Sequence, residues 1–220
     1  MNIALTFDDG PRPDYTPQIL DILSKYGIKA TFFCVGQNVD AHPELVKRAF
    51  DEGHLIANHS YTHPHLPQLD DSGVSGEFGN TNSAIEKAIG QAPGYFRPPF
   101  GETDDRVNGI ASQLGLKGPI LWTVDTNDWN NVGVDAIVNT LISAPDGSNI
   151  LCHDGVQTSD QTIQAIDRAI PQMQQNGASF VTVSELLGTG GETALRMMRA
   201  STNILIPHPS FPILSARKAA

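Results

Sequence analysis

The sequence predicts an α/β fold built on parallel strands, and three observations lead there. Seven short apolar runs recur along the chain, each bounded by polar or turn residues. Longer amphipathic stretches lie between most of them. Strand-length and helix-length segments therefore alternate, which implies parallel strands joined by right-handed crossovers. Periodicity alone leaves an open doubly wound sheet and a closed barrel equally available.

The apolar runs are Ile3–Phe7, Ala30–Val35, His54–Asn58, Gly94–Arg97, Pro119–Val124, Asn149–Cys152 and Ser179–Val183. All are of strand length, and several are rich in β-branched or aromatic residues. Thr16–Tyr26 carries Ile19, Leu20, Ile22 and Leu23 at helical spacing and stops at Gly27. Pro43–Glu52 carries Leu45, Val46, Ala49 and Phe50 and stops at Gly53. Ser83–Ile89, Val107–Leu114, Val134–Ile142 and Thr162–Gln175 have the same pattern. A glycine just past the last periodic residue is a helix C-terminus signal.

These units make one domain over residues 1–187. From Gly188 the pattern breaks at Gly-Thr-Gly-Gly. The remaining 188–220 reads as a tail: a short helix over Glu192–Ala200, a Pro-rich apolar stretch over Ile204–Leu214 that packs across one end, and frayed last residues.

The chain has 220 residues and a net charge of −10, which makes it a poor partner for nucleic acid. No run of about 18 apolar residues is present, so no membrane span is expected. Ile3–Phe7 is too short for a secretory signal and runs straight into Asp8-Asp9. The two cysteines, Cys34 and Cys152, each sit in an apolar run and read as buried thiols.

Five of the seven runs lead directly into unusual polar groups. These are Asp8-Asp9-Gly10-Pro11, His59-Ser-Tyr-Thr-His63, Arg97-Pro-Pro-Phe-Gly-Glu102, Asp125-Thr-Asn-Asp-Trp129 and His153-Asp154. In parallel α/β folds the C-terminal strand ends open on one face, where active sites lie. Five such clusters therefore converge.

Each cluster also has a plainer reading. Asp8-Asp9 could be a turn that caps the next helix, or paired carboxylates of which one binds metal and one takes a proton from water. His59 and His63 could be two surface imidazoles, or a ligand pair in a tight loop, since Pro64 disfavours a helix there. His65 reads as a bystander, because a catalytic metal needs open positions. Two imidazoles and a carboxylate form a facial ligand set found with zinc and with non-haem iron. Arg97 could make a surface salt bridge, or clamp a carboxylate in its ionised form. One of Asp125 and Asp128 could orient His153 and raise its pKa. Trp122 and Trp129 read as core, or as walls of a small apolar pocket with Leu151.

With these residues quoted, the chain resembles the polysaccharide deacetylases of the NodB-homology type, the fourth carbohydrate esterase family. The resemblance covers about Asn2 to Leu187 and rests on five motifs in the family's order. They are Thr6-Phe-Asp-Asp-Gly-Pro11, His59-Ser-Tyr-Thr-His63, Arg97-Pro-Pro-Phe-Gly101, Asp125-Thr-Asn-Asp-Trp129 and Leu151-Cys-His153. It implies a distorted, incompletely closed (β/α) barrel of seven or eight units. It implies one divalent metal, zinc ahead of cobalt, nickel or manganese, held by Asp9, His59 and His63. Asp8 would be the general base, oriented by Arg97, and His153 the general acid, tuned by Asp125. Trp129 and Leu151 would line the acetyl pocket, with Tyr61 also against substrate. The Phe100 backbone N–H would help stabilise the oxyanion, and members often have Tyr at that position.

The substrate implied is an acetylated glycan. N-acetylglucosamine oligomers come first, acetylated xylan next and peptidoglycan third. A metal-binding relic without turnover and a non-haem iron oxygenase are the other classes. The resemblance implies a secreted or cell-envelope protein, with a cytoplasmic location left open.

Overall fold

The computed structural model describes residues 1–188. The element order is β1 (Asn2–Asp8), α1 (Thr16–Lys25), β2 (Thr31–Cys34), α2 (Gly36–Ala41), α3 (Pro43–Asp51), β3 (Leu55–Asn58), α4 (Asp71–Ile89), α5 (Asp105–Gln113), β4 (Val124–Asp125), α6 (Val134–Ile142), β5 (Asn149–His153), α7 (Ser159–Gln175) and β6 (Ser179–Phe180). A helical turn over residues 183–188 follows. The expected tail, 188–220, lies outside the described residues apart from Gly188. Among the described residues no helix is long and apolar enough to cross a membrane.

The strands run parallel in the order β3-β2-β1-β5-β4, with β6 paired to the start of β1. β1 is central, and its period-2 alternation separates two cores. Ile3, Leu5 and Phe7 join Phe32, Cys34, Ile56, Ile150 and Cys152 in a cluster shared with α1, α6 and α7. Ala4 faces the other way and packs with Phe33, Ala57 and Ile120, beneath which Val183 and Leu186 close the floor. Thr6 and Asp8 continue this inner face of β1. Register sets Thr6 beside Thr31 and Leu151, and Asp8 beside Phe33 and His153, so polar and apolar inner residues lie in layers.

The barrel is incompletely closed, as expected. Past β3 the ladder shrinks to two isolated bridges, Asn58 to Phe96 and Tyr95 to Lys117. The apolar run Gly94–Arg97 therefore forms no full strand, and Pro119–Val124 contributes only the start of the two-residue β4. Prolines at 98, 99 and 119 remove backbone donors there, which stops the ladder from propagating. Helices α4 and α5 cover this weak side through Val74, Phe78 and Val107, which pack with Phe96 and Leu116.

The helix α4 begins well before the expected Ser83. Gly73, Gly76 and Gly79 weaken its local pattern, since glycine is a poor helix former. Tertiary burial of Val74, Phe78, Thr81, Ala84 and Ile85 overrides this, and Asp70 caps the start by accepting from the Gly73 N–H at 2.7 Å. The short α2 was not expected from the sequence pattern. Both cysteines are buried and free, and burial pushes their thiols well above the ordinary range.

Candidate active site

Asp8 and Asp9 end β1, and the chain turns sharply there. Asp9 has φ +75°, a left-handed conformation costly for a non-glycine residue. Three contacts fix it. Asn38 Nδ2 donates to the Asp9 carbonyl at 2.8 Å. The Gly10 N–H donates to Asp154 Oδ1 at 3.0 Å. Gly155 packs so closely beneath that a Cβ on it would lie 2.3 Å from the Asp9 carbonyl carbon. Asp154 is itself buried; burial pushes its carboxyl up to about 7 despite the Thr16 hydroxyl donating to it at 2.6 Å.

The Asp9 carboxylate faces two imidazoles. Its Oδ1 lies 3.3 Å from His59 Nε2 and 3.2 Å from His63 Nε2. These ligand atoms all lie within 4.8 Å of one another. Asp9 Oδ1 is buried and has no hydrogen-bond partner. His59 Nδ1 is 2.7 Å from the Arg97 carbonyl oxygen, which only accepts, so Nδ1 carries the hydrogen and Nε2 presents its lone pair. An orphaned carboxylate oxygen beside an imidazole of fixed tautomer fits a divalent ion. Burial pushes the Asp9 carboxyl up, yet the imidazoles hold it well below its ordinary range. The loop bearing the histidines is strained too, with φ +63° at Ser60 and +60° at His63. Each such residue costs on the order of 1 kcal/mol or more, so the surrounding structure must hold it.

On the other side of the cleft the groups leave strands directly. Asp8 Oδ1 accepts from Arg97 Nη1 at 2.7 Å, and both side chains are buried. Arg97 also donates to Thr6 Oγ1, the Ile120 carbonyl and Asn149 Oδ1, and its guanidinium sits 4.1 Å over the Phe33 ring. Burial lowers the Arg97 pKa, and Asp8 works against that loss. Asn149 and Arg97 thus bridge the interior where backbone pairing lapses. His153 ends β5, and its Nδ1 donates to Asp128 Oδ1 at 2.7 Å. Asp128 is fully buried and also accepts from the His153 N–H and the Thr162 hydroxyl. Burial would lower the His153 pKa; Asp128, followed by Asp9 and Asp8, overcomes this and raises it to about 10.

Both sides open into one cleft lined by Asp8, Asp9, His59, His63, Pro98, Phe100, Trp122, Trp129, Leu151 and His153. Residues 1–119 match the family described as polysaccharide deacetylase. The chain belongs to the polysaccharide deacetylase family. A peptidoglycan-N-acetylglucosamine deacetylase of Bacillus cereus is 41% identical over 84% of this chain and 87% of its own. A chitooligosaccharide deacetylase of Rhizobium leguminosarum bv. trifolii is 39% identical over 81% of this chain and 88% of its own. A family 4 carbohydrate esterase from Streptomyces lividans, solved with acetate, superposes with a TM-score of 0.76 at 38% identity, covering 81% of this chain and 91% of that one.

In this deacetylase the structure brings together Asp8, Asp9, His59, His63, Arg97, Phe100, Trp129, Leu151 and His153. Two expectations are corrected. Asp125 does not hold His153; its Oδ1 accepts from the Asn127 N–H at 2.8 Å, and Asp128 takes the imidazole. A one-turn helix over Asp128–Asn130 carries Asp128 inward, while Asp125 ends the two-residue β4. Tyr61 is not among the cleft residues; its hydroxyl donates to Asp40 Oδ2 at 2.9 Å. His65, read as a bystander, stacks on Phe100 at 4.3 Å and pairs with Glu102 at 2.7 Å. Phe100 in turn packs edge-on against His63 at 4.6 Å. Sequence reasoning missed Asn149 and Gly155, and the His-Asp-Gly run at 153–155 was the available signal for the second; Pro98 lay within a quoted motif but was given no role.

Proposed function

We propose that this chain hydrolyses the N-acetyl group of N-acetylglucosamine units in a glycan, with a divalent ion, zinc first, held by Asp9, His59 and His63. The observation that carries the reading is the unpaired, buried Asp9 Oδ1 facing two imidazole Nε2 atoms, in one cleft with a carboxylate clamped by arginine and a histidine clamped by aspartate. A zinc ion so held supplies a Lewis acid and lowers the pKa of bound water to about 7.

The chain's own groups carry the protons. Asp8, oriented by Arg97, accepts one from the attacking water. The Phe100 N–H is the proposed donor to the oxygen that gains charge on the acetyl carbon. His153, protonated through Asp128, donates from Nε2 to the departing nitrogen as the C–N bond breaks. The products are acetate and a free amine, and an amine leaves poorly unless protonated. Trp129 and Leu151 bound the space for the methyl group.

Peptidoglycan and chitooligosaccharides, the substrates named for the two relatives, both carry N-acetylglucosamine. Acetate release from chitin oligomers, peptidoglycan and acetylxylan, measured side by side, tests the reading. Activity on either of the first two above the third supports it, and activity on acetylxylan alone replaces it with ester hydrolysis. Asp8→Asn keeps the bound metal and abolishes hydrolysis; equal activity in parent and variant sinks the assignment of the base.

A further inference from the structure

We infer that Glu77, on α4, is the positioning residue of the metal-binding loop. Its carboxylate grips Tyr61 and Thr62 so that His59 and His63 turn their Nε2 atoms toward Asp9. This rests on the metal reading above.

The loop leaves β3 at Asn58 and must reverse within a few residues to bring both imidazoles to one point. It does so through the left-handed backbones of Ser60 and His63. Such conformations persist only when something outside the segment holds them. Glu77 Oε2 accepts from the Tyr61 N–H at 2.7 Å and the Thr62 N–H at 2.8 Å, and Oε1 accepts from the Thr62 hydroxyl at 2.8 Å. Three donors converge on one side chain, two of them consecutive backbone amides, so the grip depends on how far residue 77 reaches.

The next residue of α4 holds the base of the same loop. Asn58 Nδ2 donates to the Phe78 carbonyl at 3.0 Å, and Asn58 Oδ1 accepts from the Ser60 N–H at 2.8 Å. Phe78 is fully buried against Phe96, with ring centroids 5.0 Å apart, so this turn of α4 is anchored in the core. The loop is thus referenced to the core through residues 77 and 78. The Thr62 bonds are exposed, so water can replace Glu77 there. Losing Glu77 therefore costs the placement of the imidazoles more than it costs the fold.

The test compares reach with charge. Glu77→Asp keeps the charge but falls short of the amides by one methylene. Glu77→Gln keeps the reach, because its oxygen accepts from both amides and its amide donates to the Thr62 oxygen. Zinc affinity is measured by chelator competition on the full chain, alongside the visible spectrum of the cobalt form and the unfolding midpoint of the metal-free form. Glu77→Asp is expected to weaken zinc binding roughly 10- to 100-fold and to alter the cobalt spectrum, as loss of an outer partner does, while Glu77→Gln stays within about threefold. Metal-free midpoints stay together. Tight zinc binding by both parent and Glu77→Asp overturns the role of Glu77 and leaves the metal reading standing. Equal losses in the two variants overturn the hydrogen-bond account. A parent that binds no zinc sinks the metal reading itself.

Discussion

Asp8 and Asp9 are chain neighbours, yet they are held in opposite ways. Asp8 stays in the strand register of β1 and points into the barrel, where a buried guanidinium meets it. Asp9 leaves the strand in a left-handed turn and meets two imidazoles, one of them on an equally unfavourable backbone. The proton-handling side of the cleft is thus built from strand ends and buried ion pairs. The side proposed to hold the metal is built from strained loops pinned by hydrogen bonds. Strand register is set by the whole core, whereas a loop is only as fixed as its pins. The first side should therefore fail by unfolding, and the second by losing its ligand.

The largest expected effect breaks the first side. Arg97→Met keeps most of the volume over Phe33 but leaves Asp8 buried without its cation. Removing one partner of a buried pair costs about 3–5 kcal/mol. Denaturant unfolding should show that loss, and acetate release should fall by at least about 100-fold, the lower end of what general-base catalysis supplies. A variant as stable as the parent would mean that the buried Asp8 carboxylate does not depend on the guanidinium.

Next comes removal of the ion, which addresses the second side alone. Chelation should abolish hydrolysis while the far-ultraviolet circular dichroism stays unchanged, because no strand depends on the ion. Readdition of zinc at 1,000 times its Kd should restore about 4 kcal/mol of stability. His63→Ala should abolish that stabilisation while leaving metal-free stability within about 1 kcal/mol of the parent. Collapse of the metal-free parent would erase the contrast between the two sides.

The same contrast explains what could be read from the sequence. Strand-end groups were legible because apolar runs stop where the polar clusters start, as at Phe7-Asp8 and Cys152-His153. The loop ligands were legible as motifs, but the groups that pin them were not. Glu77 sits on a glycine-bearing helix whose local pattern argues against a helix, so nothing marks it. Asn149 looks like the polar first residue of a strand, and only the inward face of β5 turns it toward Arg97. Gly94–Arg97 looks like a strand by composition and fails as one because prolines end its ladder. Asp125 and Asp128 end the same run, and a choice between them needs the backbone turn over Asp128–Asn130 that the sequence does not display.

That choice gives the sharpest effect. Burial lowers the His153 pKa, and Asp128 leads the groups that raise it to about 10. A cation at Asp9 offsets part of the pull from Asp9 and Asp8, which leaves Asp128 as the main support of the protonated imidazole. Parent activity should therefore fall on the alkaline side as His153 loses its proton. In Asp128→Asn that fall should move to lower pH and hydrolysis at pH 8 should drop on the order of 100-fold, while zinc affinity holds. Stability of the metal-free form should move in step. A histidine whose folded pKa is raised above its unfolded value stabilises fully below about 6.5, and the gain is lost as pH rises through about 10. The stability gap between parent and Asp128→Asn should thus be widest in mild acid and narrow above that range. Asp125→Asn should leave the alkaline fall within a few tenths of a pH unit, because it does not share the proton on Nδ1. A large shift in Asp125→Asn with none in Asp128→Asn would return the histidine to Asp125.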